Sequence, residues 1–359
     1  MNIIVIGGGA AGLMAAGTAA EQGAQVTLLE TNEKVGRKLF ITGKGRCNVC
    51  NNCDVQEVLR NVPVNPRFLY SALGGFGPAD VMDFFENHGV ALKTERGNRV
   101  FPQSDKAADI IDALFLWVKK TGVTIVHTTA DELLIEDGVL VGVRAGHKTY
   151  KADRVIVATG GASYPQTGST GDGYRFARQA GHTVVPANPS LVPLVEDGDT
   201  CQKLMGLSLR NVQLTVYENE KKLYSDFGEM LFTHFGLSGP LVLSASAHMC
   251  HFGSKKYRVE IDLKPALDEK TLDKRLLADF DKHKNSDFIN ALGELLPKKL
   301  IPVVIEKSGI DPREKVNSIT KAQRVALLRV LKAFPVEISG KRPIAEAIIT
   351  TGGVSVREV

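Results

Sequence analysis

The sequence predicts an α/β fold in which a parallel sheet is interrupted by an inserted unit that is β-rich and helical. Three observations carry this. An apolar run at 2–6 passes through glycine-rich residues 7–12 into a small-residue helix at 13–22 and a second apolar run at 26–30. A β-α-β order of this kind demands a right-handed crossover and a parallel sheet. A buried-type strand returns at 154–158, and composition then changes at Pro186-Ala187-Asn188-Pro189, a proline-rich break that marks a boundary.

At 359 residues the chain is too long for one ordinary core. Hydrophobic residues make up 43% and charged residues 23%, the balance of a globular chain. The net charge of +4 is small for this length. It argues against a dedicated nucleic-acid surface and leaves room for a local basic site for an anionic ligand. No apolar run approaches the ~18 residues of a membrane span. The first strand starts at Asn2, with no room for a leader before it, so a cytoplasmic location is expected. Five cysteines, an odd count, fit a reducing compartment rather than a disulfide framework.

After the second strand, residues 31–65 read as a long irregular stretch rich in Gly, Lys, Arg, Cys and Asn. Helices are expected from Pro78 and over 106–121, the latter closed by Gly122. A β-branched strand follows at 123–127. Runs at 133–135, 139–144 and 149–152, with turns at Asp137-Gly138 and Ala145-Gly146, read as an antiparallel meander. A helix is expected at 173–179, ending at Gly181. Beyond the boundary, 207–217 and 257–263 read as strands, and 267–300 and 320–331 as helices charged on one face. Residues 345–356 read as a strand with a turn at Gly352-Gly353, which rejoins the first unit.

In the glycine loop, Gly7, Gly9 and Gly12 fit G-x-G-x-x-G, with Ala10 and Ala11 between. Gly7 permits the tight turn, Gly9 lets the backbone approach a pyrophosphate, and Gly12 lets the helix pack on the sheet. The helix N-terminus offers N–H groups and partial positive charge to phosphates. Glu30 ends the second strand, where a carboxylate accepts hydrogen bonds from a ribose 2′-OH and repels a 2′-phosphate. FAD and NAD both satisfy this pattern.

Two features favour FAD. The loop stands at the extreme N-terminus, and the meander leads into Ala158-Thr159-Gly160, which is similar to the Ala-Thr-Gly strand of the glutathione-reductase-like flavoprotein fold. The segment Thr167–Gly173, with Gly171 and Asp172, looks like the corresponding loop of fumarate-reductase-type flavoproteins. There the glycines would approach FAD, and Asp172 is also placed to cap the next helix.

The remaining motifs make the resemblance specific. Gly36-Arg37-Lys38-Leu39, Gly43-Lys44-Gly45-Arg46-Cys47-Asn48, Arg99-Val100-Phe101-Pro102, residues 158–173 including Gly161, residues 231–240 ending Gly-Leu-Ser-Gly-Pro, and Thr350-Thr351-Gly352-Gly353 span nearly the whole chain. Together they resemble the BaiN/YhiN-type NAD(P)/FAD-dependent oxidoreductases, the aminoacetone oxidase family of FAD-binding enzymes. The resemblance implies an FAD domain over 1–187, an inserted substrate or cap domain over 188–342, and a return at 343–359. It implies that Arg37, Lys38 and the segment from Gly43 to Asn48 lie along the pyrophosphate and flavin, with Arg46 or Lys44 as a cation near the flavin N1 edge. Gly352 and Gly353 are placed against the cofactor in the same way.

Cys47, Cys50 and Cys53 form C-x2-C-x2-C, a spacing used by iron–sulfur clusters. The fourth ligand and its proline are missing nearby, and in the family pattern Cys50 falls where Ser or Thr is usual, so no metal is expected. His234 reads either as an acid/base or substrate-binding group or as a histidine satisfied in a structural turn, with Ser238 and Pro240 placed to cap and begin a helix. Arg99 reads either as an anion ligand or as decoration of a hairpin.

Flavoproteins of this fold usually finish with a further strand, a Gly-Asp or Gly-Glu and a flavin-contacting loop. The sequence stops at Val359 without such a segment, which raises the expectation of a fragment or short form with weakened FAD affinity. No second dinucleotide fingerprint is present, so NAD(P)H is expected to bind transiently against the flavin. The function implied is hydride transfer between flavin N5 and a small or medium unsaturated or keto compound, such as a bile-acid-like steroid. An O2-dependent oxidase of an aminoacetone-like amine, and a non-catalytic flavin-binding or RNA-modification-associated protein, are the alternatives. A small-molecule substrate is expected, with neither nucleic acid nor membrane as partner.

Overall fold

The computed structural model describes residues 1–250 and 252–359. The chain divides into two compact units, Met1–Asn188 with Thr350–Val359, and Pro189–Ile349.

The first unit is built on a parallel sheet. Strand β1 (Asn2–Ile6) leads into helix α1 (Ala10–Glu21) and strand β2 (Gln25–Glu30). Ile4, Val5 and Ile6 are buried because both faces of a parallel sheet are covered. Gly12 makes the close approach possible: a Cβ there would overlap the Gly7 carbonyl. The stretch from 31 to 65 is more ordered than its composition predicts. It holds the short helices α2 (Arg37–Ile41) and α3 (Val55–Arg60) and the two-residue strand β3 (Cys50–Asn51). Pairing with partners distant in sequence and an Asp54 cap on the Glu57 N–H supply what periodicity does not.

Helix α4 (Tyr70–Gly75) and helix α5 (Pro78–Asn87), which starts at its proline, precede the hairpin of β4 (Leu92–Glu95) and β5 (Arg99–Pro102). β5 lies between β4 and β3. Helix α6 (Ala107–Lys120) packs on α1 through Trp117, whose ring lies against Gly17. Strand β6 (Thr124–His127) is followed by the expected meander of β7 (Glu132–Glu136), β8 (Val139–Ala145) and β9 (Lys148–Lys151), then β10 (Arg154–Val157) and helix α7 (Asp172–Gln179). The parallel sheet has the order β10-β1-β2-β6. Strand β11 (Val184–Ser190) forms a two-stranded ribbon with the last strand of the chain.

The second unit is a closed six-stranded barrel with helices around it. Its strands are β12 (Leu194–Glu196), β13 (Ser208–Glu218), β14 (Lys221–Phe232), β15 (Gly236–Ser238), β16 (Tyr257–Asp262) and β17 (Phe334–Lys341). Its helices are α8 (Thr200–Lys203), α9 (Pro240–Ser246), α10 (Glu269–Lys282), α11 (Ile301–Ser308) and α12 (Lys321–Lys332). The helix expected over 267–300 ends at Lys282. Phe288 is fully buried, and Phe288 N–H and Val316 N–H bond the Glu314 and Ser286 carbonyls, so this stretch pairs with distant backbone instead of with itself. Strand β18 (Ile349–Val354) closes the ribbon. Gly352 and Gly353 stand inside it at φ 85° and 103°, a kinked strand rather than the expected turn.

Candidate functional site

The first unit holds a cavity of 560 Å³ where β1, β2 and β10 end and α1 begins. Gly7, Gly9, Ala10 and Ala11 line it from the loop, and Ala158, Thr159 and Gly160 line it from the end of β10. A second cavity, of 660 Å³, is lined by apolar residues of the meander, β10 and α7, and shares Thr159, Gly160 and Phe176 with the first.

Two glycines of the loop differ in what excludes a side chain. Gly7 has φ 103°, and a Cβ there would meet the Ala158 carbonyl. Gly9 has an ordinary φ of −81°, and a Cβ on it would meet nothing within 4 Å. Its missing side chain serves the empty space of the cavity rather than the fold. Gly9 is also the N-cap of α1 and supplies no side-chain acceptor, so the first-turn N–H groups are left for a ligand.

Glu30 is 6% exposed and lines the same cavity. Its carboxylate accepts from the Gly8 N–H at 2.6 Å, the Asn32 N–H at 2.7 Å and the Asn32 side-chain amide at 2.6 Å. These donors hold the charge in place and aim it at the cavity. Asn32 was missed by sequence reasoning. It also accepts from Arg37 Nη1 at 2.8 Å and donates to the Thr167 carbonyl at 3.3 Å, tying three walls together. Its signal was its place two residues after the strand-ending acid, where Asx side chains commonly bond local backbone. Gly8, Gly168 and the buried Ser169 line the cavity from within the two marked loops, and Thr129 and Ala130 are further lining residues that no motif marked.

Arg37 and Lys38 line the cavity as well. Lys38 Nζ donates to Ser163 Oγ at 2.7 Å and to the Ser163 carbonyl at 3.2 Å, and burial lowers its pKa. Among the described residues neither cation pairs with a carboxylate. Asp172 lines the cavity but does not cap α7. It is the first residue of the helix, the N-cap is Gly171, and its carboxylate accepts from Thr170 Oγ1 and pairs with Arg175. Thr159 Oγ1 is buried without a hydrogen-bond partner in the shared wall.

Other expected site residues lie outside the cavity lining. Gly12 packs α1 on the Gly7 carbonyl, Gly161, Gly171 and Gly353 lie against Tyr174 and Gly352 against the Pro186 carbonyl, and none of these lines either cavity. The loop holding Gly43, Gly45, Arg46, Cys47 and Asn48 follows Thr42, which does line the cavity. Arg46 is turned toward Glu95 and Asp105 and stacks on Phe101 at 4.0 Å. The two carboxylates raise its pKa, it lowers that of Glu95, and Lys93 followed by Arg46 lowers that of Asp105. Its charge is therefore spent on clamping a loop in which Lys44 and Cys47 adopt φ 60° and 58°. The thiols of Cys47 and Cys50 are pushed up, the latter to about 11, by burial. Among the described residues no three His, Cys, Asp or Glu side chains converge as a metal site.

In the second unit, His234 is exposed in the turn between β14 and β15, edge-on to Phe235 at 5.0 Å. Pro240 begins α9 as expected, but the N-cap is Gly239, and Ser238 is a strand residue with no cap bond. Arg99 is exposed and donates to the Arg96 carbonyl, decorating the hairpin. No helix among the described residues is long and apolar enough to cross a membrane.

The whole chain is similar to curated proteins. It is 32% identical over 364 residues to a 3-dehydro-bile acid delta(4,6)-reductase of Clostridium scindens, covering 100% of this chain and 88% of that protein. It is 29% identical over 360 residues to ribosomal RNA dihydrouridine synthases of Escherichia coli and of Haemophilus influenzae, covering 86% of each and 100% and 99% of this chain. The sequence profile of the HI0933-like protein Rossmann domain matches residues 1–359. With a glycine-lined cavity at the ends of its parallel strands and this match along its entire length, the chain belongs to the HI0933-like family of Rossmann-domain, FAD-dependent oxidoreductases.

Proposed function

We propose that this oxidoreductase saturates a carbon–carbon double bond conjugated to a carbonyl, with FAD held in the 560 Å³ cavity and NAD(P)H as the transient source of reducing equivalents. The observation that carries the cofactor assignment is Gly9, where the backbone is unstrained and the space beyond Cα is open. The residues present fit the group. The first-turn N–H groups of α1 face phosphate, Glu30 accepts from a ribose hydroxyl, and Arg37 and Lys38 balance the two pyrophosphate charges. When bound, FAD supplies a hydride donor at N5.

The reaction class is supported by the names of the relatives. A bile-acid 3-ketone with unsaturation at positions 4 and 6, and a uridine converted to dihydrouridine, both present a double bond in conjugation with a carbonyl. Anaerobic mixing of the flavin-loaded chain with NADH and with NADPH should bleach the visible flavin band. Adding a steroid enone should then restore the band with loss of the enone chromophore. Bleaching by an aminoacetone-like amine instead, with oxygen consumption on aeration, would replace this reading with an amine oxidase.

A further inference from the structure

We propose that Asn32 is a positioning residue that keeps the Glu30 carboxylate and the Arg37 guanidinium from pairing with each other, so that the first stays free for a ribose hydroxyl and the second for a phosphate. This rests on the FAD reading above and adds a residue to it. Glu30 ends β2, Arg37 opens α2, and both line the 560 Å³ cavity. Opposite charges so placed attract each other, yet the Asn32 amide stands between them. Its NH2 donates to Glu30 Oε1 at 2.6 Å, and its carbonyl oxygen accepts from Arg37 Nη1 at 2.8 Å. The amide dipole thus turns its positive end to the anion and its negative end to the cation. The amide cannot flip. Its NH2 also meets the Thr167 carbonyl at 3.3 Å, an acceptor, and Arg37 offers donors alone.

The backbone of Asn32 is held as firmly as its side chain. Its N–H donates to Glu30 Oε1 at 2.7 Å, and its carbonyl accepts from His127 Nδ1 at 2.7 Å. Gly168, at φ 95°, lets the amide come close, since a Cβ there would stand 2.7 Å from Asn32 Nδ2. The neighbouring charges follow the same rule. Glu30 Oε2 accepts from the Gly8 N–H at 2.6 Å, and Lys38 Nζ is held by the Ser163 hydroxyl and carbonyl. Glu30, Arg37 and Lys38 are therefore each oriented by neutral groups, which leaves their charges for a ligand. Arg46 is the contrast, because Glu95 and Asp105 take its charge and it lies outside the lining. Without the Asn32 amide, the exposed Arg37 side chain is free to swing onto Glu30. The ligand would then lose two charge-assisted partners at once.

The test titrates FAD, and separately ADP, into the full flavin-free chain and reads the dissociation constants in a double-mutant cycle. Arg37→Gln should weaken binding about tenfold in the parent, the worth of one charge-assisted hydrogen bond. With Asn32→Ala already present it should weaken binding about twofold or less, because Arg37 has by then turned to Glu30. Asn32→Ala alone should cost more than Arg37→Gln alone, since Glu30 is lost with it. Asn32→Asp keeps the shape and gives a readout that packing alone would not move. It sets a carboxylate oxygen 2.6 Å from Glu30, where the NH2 stood, and like-charge repulsion raises the pKa of the pair. Its ADP affinity should climb toward the parent's as pH falls from about 8 to about 5.5, where a shared proton restores a donor to Glu30. Arg37 and His127 also face this position, and the parent's own pH profile accounts for them. Equal losses for Arg37→Gln in both backgrounds, or an Asn32→Asp affinity that stays parallel to the parent's at every pH, would overturn the role of Asn32. A parent that takes ADP with the stated coupling and takes no FAD would leave that role standing and sink the flavin reading. A parent that binds neither overturns both.

Discussion

Gly9 and Gly12 stand three residues apart in one loop, and the structure gives them opposite roles. Gly12 leaves no room for a Cβ, whereas Gly9 has open space in front of it. Gly12→Ala should therefore lower the melting temperature, and Gly9→Val should leave it unchanged while abolishing flavin retention. A Gly9→Val chain that purifies with its full flavin would show that the phosphates lie elsewhere. Glu30 carries a double load. Removing its carboxylate in Glu30→Ala strands the Gly8 and Asn32 N–H groups, at a cost of about 1–3 kcal/mol to the fold, besides weakening FAD. An apo-protein melting temperature equal to the parent's would contradict this. At this scale the glycine motif and Glu30 were legible because their spacing is set by the ligand geometry itself. Asn32 and the clamp on Arg46 were not, since Glu95 and Asp105 lie 49 and 59 residues away from it and no local pattern announces them.

Among the elements, those with alternating or helical periodicity were readable. β13 buries Leu209, Val212, Leu214 and Val216 in near alternation, and the first meander turn sits at its Asp137-Gly138 pair, whereas the second falls at Gly146-His147, one residue past the expected Ala145-Gly146, because Ala145 still pairs with Lys148. β14 was missed. Of its 12 residues only Met230 and Phe232 are buried, so its sequence reads as polar and its strand character comes from pairing with β13 and β15. The contact between α1 and α6 offers a direct test of packing. Gly17→Ala would push a methyl into the ring of Trp117, whose indole N–H donates to Glu21 at 2.7 Å. Overpacking of this kind costs about 1–3 kcal/mol. The chain has one tryptophan, so a lowered melting temperature accompanied by a shift in its fluorescence locates the damage at this contact. An unchanged emission spectrum would mean that the helices do not meet there. In the second unit, Thr320→Ala removes a capping box at α12 and should cost ~0.5–2 kcal/mol, read as an earlier chemical-unfolding midpoint.

For the whole molecule, each unit has its own core, and all residues lining the 560 Å³ cavity belong to the first. FAD should therefore stabilise that unit selectively, by about 2.7 kcal/mol at a hundredfold excess over its Kd. The parallel-sheet class and the glycine-loop cavity were legible from the chain's opening residues and the return at β10. The closed barrel was not, because closure depends on β12 and β15, three-residue strands too short to carry a pattern, even though β17 alternates at Phe334, Val336 and Ile338. The most direct measurement is an equilibrium FAD titration of the purified chain beside its Gly9→Val variant, followed by visible absorption and thermal melting. One FAD per parent chain with a raised melting temperature is expected, and no FAD in a variant whose apo form melts where the parent's does. A parent that binds no FAD, or a variant that binds it equally well, would contradict the assignment of the cavity.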